Sequence, residues 1–132
     1  MSRHITLTLA SLLLASQAAF AEIVVVGHPN AAPLTKEQVA EIYLGKSQAA
    51  QPIDLPEASP IRASFYEKAT GKDAAQIKAT WARLAFSGKA QPPKEAADAA
   101  AVKKEVANNP KAVGYIDKSA ADASVKVLLT LP

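Results

Sequence analysis

The chain has 132 residues, a mass of 13.8 kDa and a formal net charge of +3, with 49% hydrophobic and 20% charged residues, which describes one small soluble domain. It contains no cysteine, so a disulfide framework, a thiolate zinc site, an iron–sulfur cluster and a cysteine nucleophile are all excluded. The composition is too apolar for a disordered chain, yet alanine supplies much of it and buries little surface, so the core must come from valine, isoleucine, leucine and a few aromatics.

Arg3 and His4 precede an apolar run from Ile5 to Leu14, and Ala19-Phe20-Ala21 forms a small-residue box. This is the pattern of a cleavable signal peptide over residues 1–21, cut before Glu22. The run is too short for a spanning helix, which needs roughly 20 apolar residues. No cysteine follows the box to take a lipid, so residues 22–132 are expected as a free domain in a bacterial periplasm, without membrane insertion. Arg3 takes one of the 15 basic residues with it, which leaves 14 against 12 acidic ones. The charges are spread along the chain, which argues against nucleic-acid binding.

Glu22 to Val26 is a short β-branched run ending at Gly27, the signature of a buried strand. His28-Pro29-Asn30 then makes a turn. Thr35 and Gln38 fit a capping box, and Val39, Ile42 and Tyr43 form one face of a helix that runs to about Leu44 and stops at Gly45. A polar loop from Lys46 to Gln51 leads to a strand over Pro52 to Leu55. Ser59 with Pro60 is a helix start, followed by an apolar stripe at Ile61, Phe65 and Ala69 that ends at Gly71. Asp73 caps the next helix, whose face is Ile77, Trp81, Leu84 and Ala85, closed by Gly88. An alanine-rich helix over about Glu95 to Ala107 packs through Val102 and Val106 and stops at Asn109-Pro110. Strands over Ala112 to Ile116 and Val125 to Leu131 complete an α/β domain with a small, mainly parallel sheet flanked by helices.

His28 is the only histidine after the leader, in a strand-to-loop turn where active sites of α/β folds often lie. It has no partner at metal-ligand or triad spacing, and the plainer reading is a turn residue open to solvent. Asp54 ends a strand where acids can meet ligands; the plainer reading is a solvated or capping acid.

Anion binding has a clearer physical basis. A helix start presents unpaired N–H groups and a positive dipole end, and the Ser59 hydroxyl and Arg62 guanidinium are placed to join them around an oxyanion. Pro60 removes one N–H from that cradle. The competing reading makes Ser59 a cap and Arg62 a surface partner of Glu57 or Glu67, and these residues alone favour it. Thr35 is a weaker candidate, since its hydroxyl serves the capping box. Trp81 and Phe86 can be read as a stacking surface, but their spacing with Ile77 and Leu84 favours core packing, as does the position of Tyr115. The Lys103-Lys104 helix has too small an apolar face for a membrane surface.

Taken in order, LTKEQVAEIYLGKSQ, PIDLPEASPIRASFYEKATG, WARLAFSGKAQPP and NNPKAVGYID resemble the phosphate-binding proteins of ABC transporters, in their second half. Ile42-Tyr43-Leu44-Gly45 stands where that family has I-F-x-G, and Arg62 and Phe65 stand for the arginine and phenylalanine of G-S-G-T-R-x-x-F. Trp81, Phe86 and Gly88 match W..F.G, and Ala112 to Ile116 matches the P-G-A-I-G-Y-V segment. The loop here reads Ser59-Pro60-Ile61-Arg62, keeping the serine and arginine without the glycine and threonine.

The resemblance implies a single lobe of a type II periplasmic-binding-protein-like fold and a non-enzymatic role without cofactor or metal. It further implies phosphate or a similar oxyanion at Ser59 and Arg62, in ABC-type uptake or sensing. The alternative is an interaction module without ligand, whose exposed former cleft contacts a transporter or sensor subunit or a second copy of the chain.

Overall fold

The computed structural model describes residues 22–132; the leader assigned to residues 1–21 lies outside them. Strand β1 (Ile23–Gly27) is followed by α1 (Lys36–Tyr43), β2 (Gln51–Asp54), α2 (Pro60–Thr70) and α3 (Ala74–Phe86). Then come β3 (Lys94–Glu95), α4 (Ala99–Asn108), β4 (Ala112–Asp117), a 3₁₀ turn (Lys118–Ala120) and β5 (Lys126–Leu131). The strands form one sheet in the order β3-β2-β4-β1-β5. The α/β class is as expected from the sequence.

Strand direction is not. β2 runs parallel to β3 and β4, whereas β1 runs antiparallel to both β4 and β5, so the sheet is mixed rather than mainly parallel. All five residues of β1 are buried, as befits a strand with neighbours on both sides and cover on both faces. A continuous apolar run marks such a central strand but carries no information about its direction.

Side chains alternate across the sheet, and β4 shows what each face holds. Gly114 faces α4, where a Cβ would collide with Val102 Cγ1; the missing side chain is what lets the helix lie so close. Tyr115 points the other way, into an aromatic cluster with Tyr43 of α1 and Phe65 and Tyr66 of α2. Its ring stacks on Phe65 with centroids 3.8 Å apart, and Tyr43 meets Phe65 edge-on at 4.7 Å. Trp81 of α3 is buried and its indole N–H donates to the Tyr43 carbonyl at 3.0 Å, which ties α3 to the end of α1.

Helix ends follow local chemistry. Thr35 and Asp73 each form the reciprocal capping box, with Gln38 and Gln76 respectively. Gly45 ends the first helix at φ 74°, a conformation that costs a side-chain-bearing residue about 1 kcal/mol or more. The alanine-rich helix starts later than its composition suggests, at Ala99 with Asp98 accepting from the Ala101 N–H. Lys94 and Glu95 instead extend the sheet as β3, opposite Ile53 and Asp54. Two residues are too few for a strand to show in sequence periodicity, and the Asp98 cap competes directly with an earlier helix start.

Candidate functional site

The C-terminal end of β2 delivers Asp54 to the aromatic face of the sheet. Asp54 is 2% exposed. Its Oδ1 accepts from the Tyr115 hydroxyl and, at 3.0 Å, from the Leu55 N–H. Its Oδ2 accepts from the Tyr66 hydroxyl at 2.6 Å. Arg62, in the first turn of α2, places Nη1 3.8 Å from that same oxygen and donates from it to the Leu55 carbonyl at 2.8 Å. The guanidinium also lies 5.9 Å from the centre of the Tyr66 ring, within cation–π range. Tyr43 completes the wall by donating to the Ile53 carbonyl at 2.8 Å.

A buried carboxylate is costly unless it is paired and hydrogen-bonded. Here three donors and a nearby cation surround it. Burial, followed by the negative charge of Asp54, holds the hydroxyls of Tyr66 and Tyr115 far above the ordinary tyrosine range. Tyr43 is raised by the same two causes in the same order. These phenols stay protonated, and those of Tyr66 and Tyr115 serve as lasting donors to Asp54.

Arg62 borders the outside of this cluster. With a side chain 19% exposed, it lines a cleft of about 290 Å³ together with Asp54, Glu57, Lys78, Trp81 and Glu95. An adjoining hollow of about 260 Å³ shares Arg62, Glu57 and Lys78. Among the described residues only Nη1 of the guanidinium has a protein acceptor, and no buried side-chain nitrogen lacks a partner. The other guanidinium N–H groups therefore face accessible space.

Ser59 holds the N-cap position of α2, its N–H donating to the Pro56 carbonyl at 2.9 Å, but its hydroxyl makes no capping bond. It stands in the same helical turn as Arg62, whose N–H donates to the Ser59 carbonyl at 3.1 Å. The Arg62 side chain turns toward Asp54 and not toward the Glu57 or Glu67 partners expected from sequence. Asp54 itself is neither solvated nor a helix cap. The signal that could have found it is the set of three tyrosines, Tyr43 on an apolar helix face, Tyr66 beside the Phe65 stripe and Tyr115 in a strand, whose hydroxyls need acceptors when buried.

Phe86 departs most from expectation. It is 95% exposed, whereas Ile77 and Trp81 of the same helix are buried. Phe86 lies five residues beyond Trp81, off the buried stripe, and at the last residue of α3 no neighbouring element covers it. His28 sits in its turn with Nδ1 accepting from the Asn30 N–H at 3.1 Å. Among the described residues no group of three or more His, Cys, Asp or Glu side chains is placed to hold a metal ion. No helix of those residues is long and apolar enough to cross a membrane.

No protein-family model matches the chain, and neither does any curated protein. Solved structures do. A protein of Clostridium perfringens described as a phosphate ABC transporter substrate-binding protein, solved with phosphate bound, superposes with a TM-score of 0.66 at 22% identity. An ABC-type phosphate transport receptor of Vibrio cholerae gives 0.63 at 21%. The matched part of the chain has the fold of the corresponding part of these proteins. The matches cover 82% of this chain but only 44% and 45% of those proteins, so it spans less than half their length. The mixed five-stranded sheet flanked by helices is thus the periplasmic-binding-protein-like architecture that the sequence resemblance implied.

Proposed function

We propose that the chain is an exported, non-enzymatic solute-binding domain that takes up phosphate or a similar small oxyanion through Arg62; Ser59 starts the same helix but lines neither hollow beside Arg62. The observation that carries this reading is the Arg62 guanidinium. It is anchored by one N–H to the Leu55 carbonyl and bordered by Asp54, its remaining N–H groups have no protein acceptor among the described residues, and Arg62 lines a cleft. An arginine already held in place gives up less side-chain entropy on binding, and its planar fork suits an oxyanion. The match to proteins described as phosphate transport components supports the same ligand class. On this reading the leader of residues 1–21 is removed after Ala21, and the domain works in the periplasm with a membrane transporter or sensor subunit. Its capture rests on an arginine that is already held in place.

The test is a thermal melt in a non-phosphate buffer with millimolar phosphate, sulfate or an ionic-strength control. A ligand at ~100 times its dissociation constant adds about 2.7 kcal/mol of stability, a midpoint rise of several degrees. A second reading, the ligand-free interaction module, is favoured by the exposed Phe86 and by a groove of about 1010 Å³ between α2 and the edge strand β5. Sedimentation across a concentration series checks its self-association form: a Phe86-dependent dimer supports it, and a monomer at every concentration removes it.

A further inference from the structure

The cleft beside Arg62 carries a charge pattern that a bare oxyanion does not match. Its lining residues include Asp54, Glu57 and Glu95 together with Arg62 and Lys78. Asp54 lies against Arg62 and offsets its charge, which leaves two glutamates, Glu57 and Glu95, and one further cation, Lys78, in the lining. Neither of these glutamates forms an ion pair among the described residues, and both are exposed. Glu95 is fixed next to Asp54 by the β2 and β3 pairing, reinforced by the Ala96 N–H donating to the Asp54 carbonyl at 2.8 Å. Glu57 lies in the turn that leads into α2. An oxyanion on Arg62 therefore has two unpaired carboxylates among its neighbours, and an ammonium group on the same ligand adds an attraction that a bare oxyanion lacks.

We infer that the ligand of this cleft is a zwitterion, whose anionic end lies on Arg62 and whose ammonium end lies between Glu57 and Glu95. The inference rests on the oxyanion reading for Arg62 and adds the second charge. A cavity of about 290 Å³ stands just below the range for ligand sites, about 300 to 1,000 Å³, and suits a compact aminoalkyl phosphonate or phosphate ester. Glu57 and Glu95 are then the specificity-determining residues, favouring oxyanions that also carry an amine.

The experiment is calorimetric titration of the chain, expressed with its leader, with three probes: inorganic phosphate, ethylphosphonate and 2-aminoethylphosphonate. The last two differ essentially in the amine. The expected result is at least a tenfold preference for 2-aminoethylphosphonate over ethylphosphonate. In a double variant carrying E57Q and E95Q the preference disappears while ethylphosphonate affinity holds or rises. Both substitutions are on exposed side chains and keep their shape, so folding is preserved. Equal affinity for the two phosphonates, or a preference that survives in the double variant, overturns the inference. If phosphate or ethylphosphonate binds without an amine preference, the oxyanion reading stands alone; if no probe binds, both fall.

Discussion

The hydroxyl of Tyr115, on β4, donates to the carboxylate of Asp54, at the end of the neighbouring β2, and this bond joins the aromatic core to the rim of the cleft. Asp54 in turn stands beside Arg62. The core thereby sets where the guanidinium lies.

Replacing Tyr115 by Phe leaves the ring stack on Phe65 but removes one donor from a buried carboxylate. The expected cost is about 1–3 kcal/mol, and Tyr66→Phe is expected to cost about the same. Urea denaturation of both single variants and the double variant checks this. A double-variant loss that departs from the sum of the singles by 0.5 kcal/mol or more is expected, because both bonds end on one carboxylate. Additive losses would mean that the two phenols act separately.

Alkaline pH offers a second check. The folded chain holds its tyrosines protonated well above their ordinary value, whereas the unfolded chain releases those protons near pH 10. Above pH 10 the unfolded state binds fewer protons than the folded one, so stability is complete below that pH and falls as pH rises further. Each tyrosine contributes a slope of about 1.4 kcal/mol per pH unit. Midpoints should hold from pH 8 to about pH 10 and drop steeply above it, with a shallower drop in Tyr66→Phe. Tyrosinate absorbance in the folded protein near pH 10 would contradict the buried, protonated cluster.

Gly114→Ala probes the other face of the sheet. The new methyl meets Val102 Cγ1 in a packed helix–sheet contact, and overpacking of this kind costs about 1–3 kcal/mol. The combination with Val102→Ala should recover part of the loss, since it removes the colliding methyl. A neutral Gly114→Ala would show that α4 lies less tightly on β4.

Trp81 and Phe86 should respond in opposite ways. Trp81→Ala removes a buried ring and its bond to the Tyr43 carbonyl, an expected loss of about 3–5 kcal/mol. Phe86→Ser touches an exposed side chain and should change stability by no more than about 0.5 kcal/mol. Denaturation of both variants decides it, and a large loss at Phe86 would return that residue to the core.

Much of the fold is legible in the residues themselves, because its signals are local. The Thr35 and Asp73 caps, the stop at Gly45 and the buried run of β1 can each be read from a few neighbouring positions. Strand direction and the two-residue β3 depend on pairing with distant segments and leave no such trace. The candidate site divides the same way. Arg62 stands out as a cation near a helix start, but its partner depends on where β2 ends in space, and a nearby glutamate is the natural guess from sequence. Asp54 gives no local sign of being buried, since the tyrosines that donate to it lie 12 and 61 residues away. Phe86 was misleading for a complementary reason: helical spacing cannot show that a helix outruns its cover.

The most direct test of the oxyanion account is the melting midpoint of the protein and of its Arg62→Ala variant, each with and without millimolar phosphate against a matched-salt control. Near-ultraviolet circular dichroism of the tyrosines verifies that the variant keeps its core. The account predicts a phosphate-specific rise of several degrees in the native chain and none in the variant. A native chain that gains nothing beyond the salt control, or a variant that gains as much as the native chain, would contradict it.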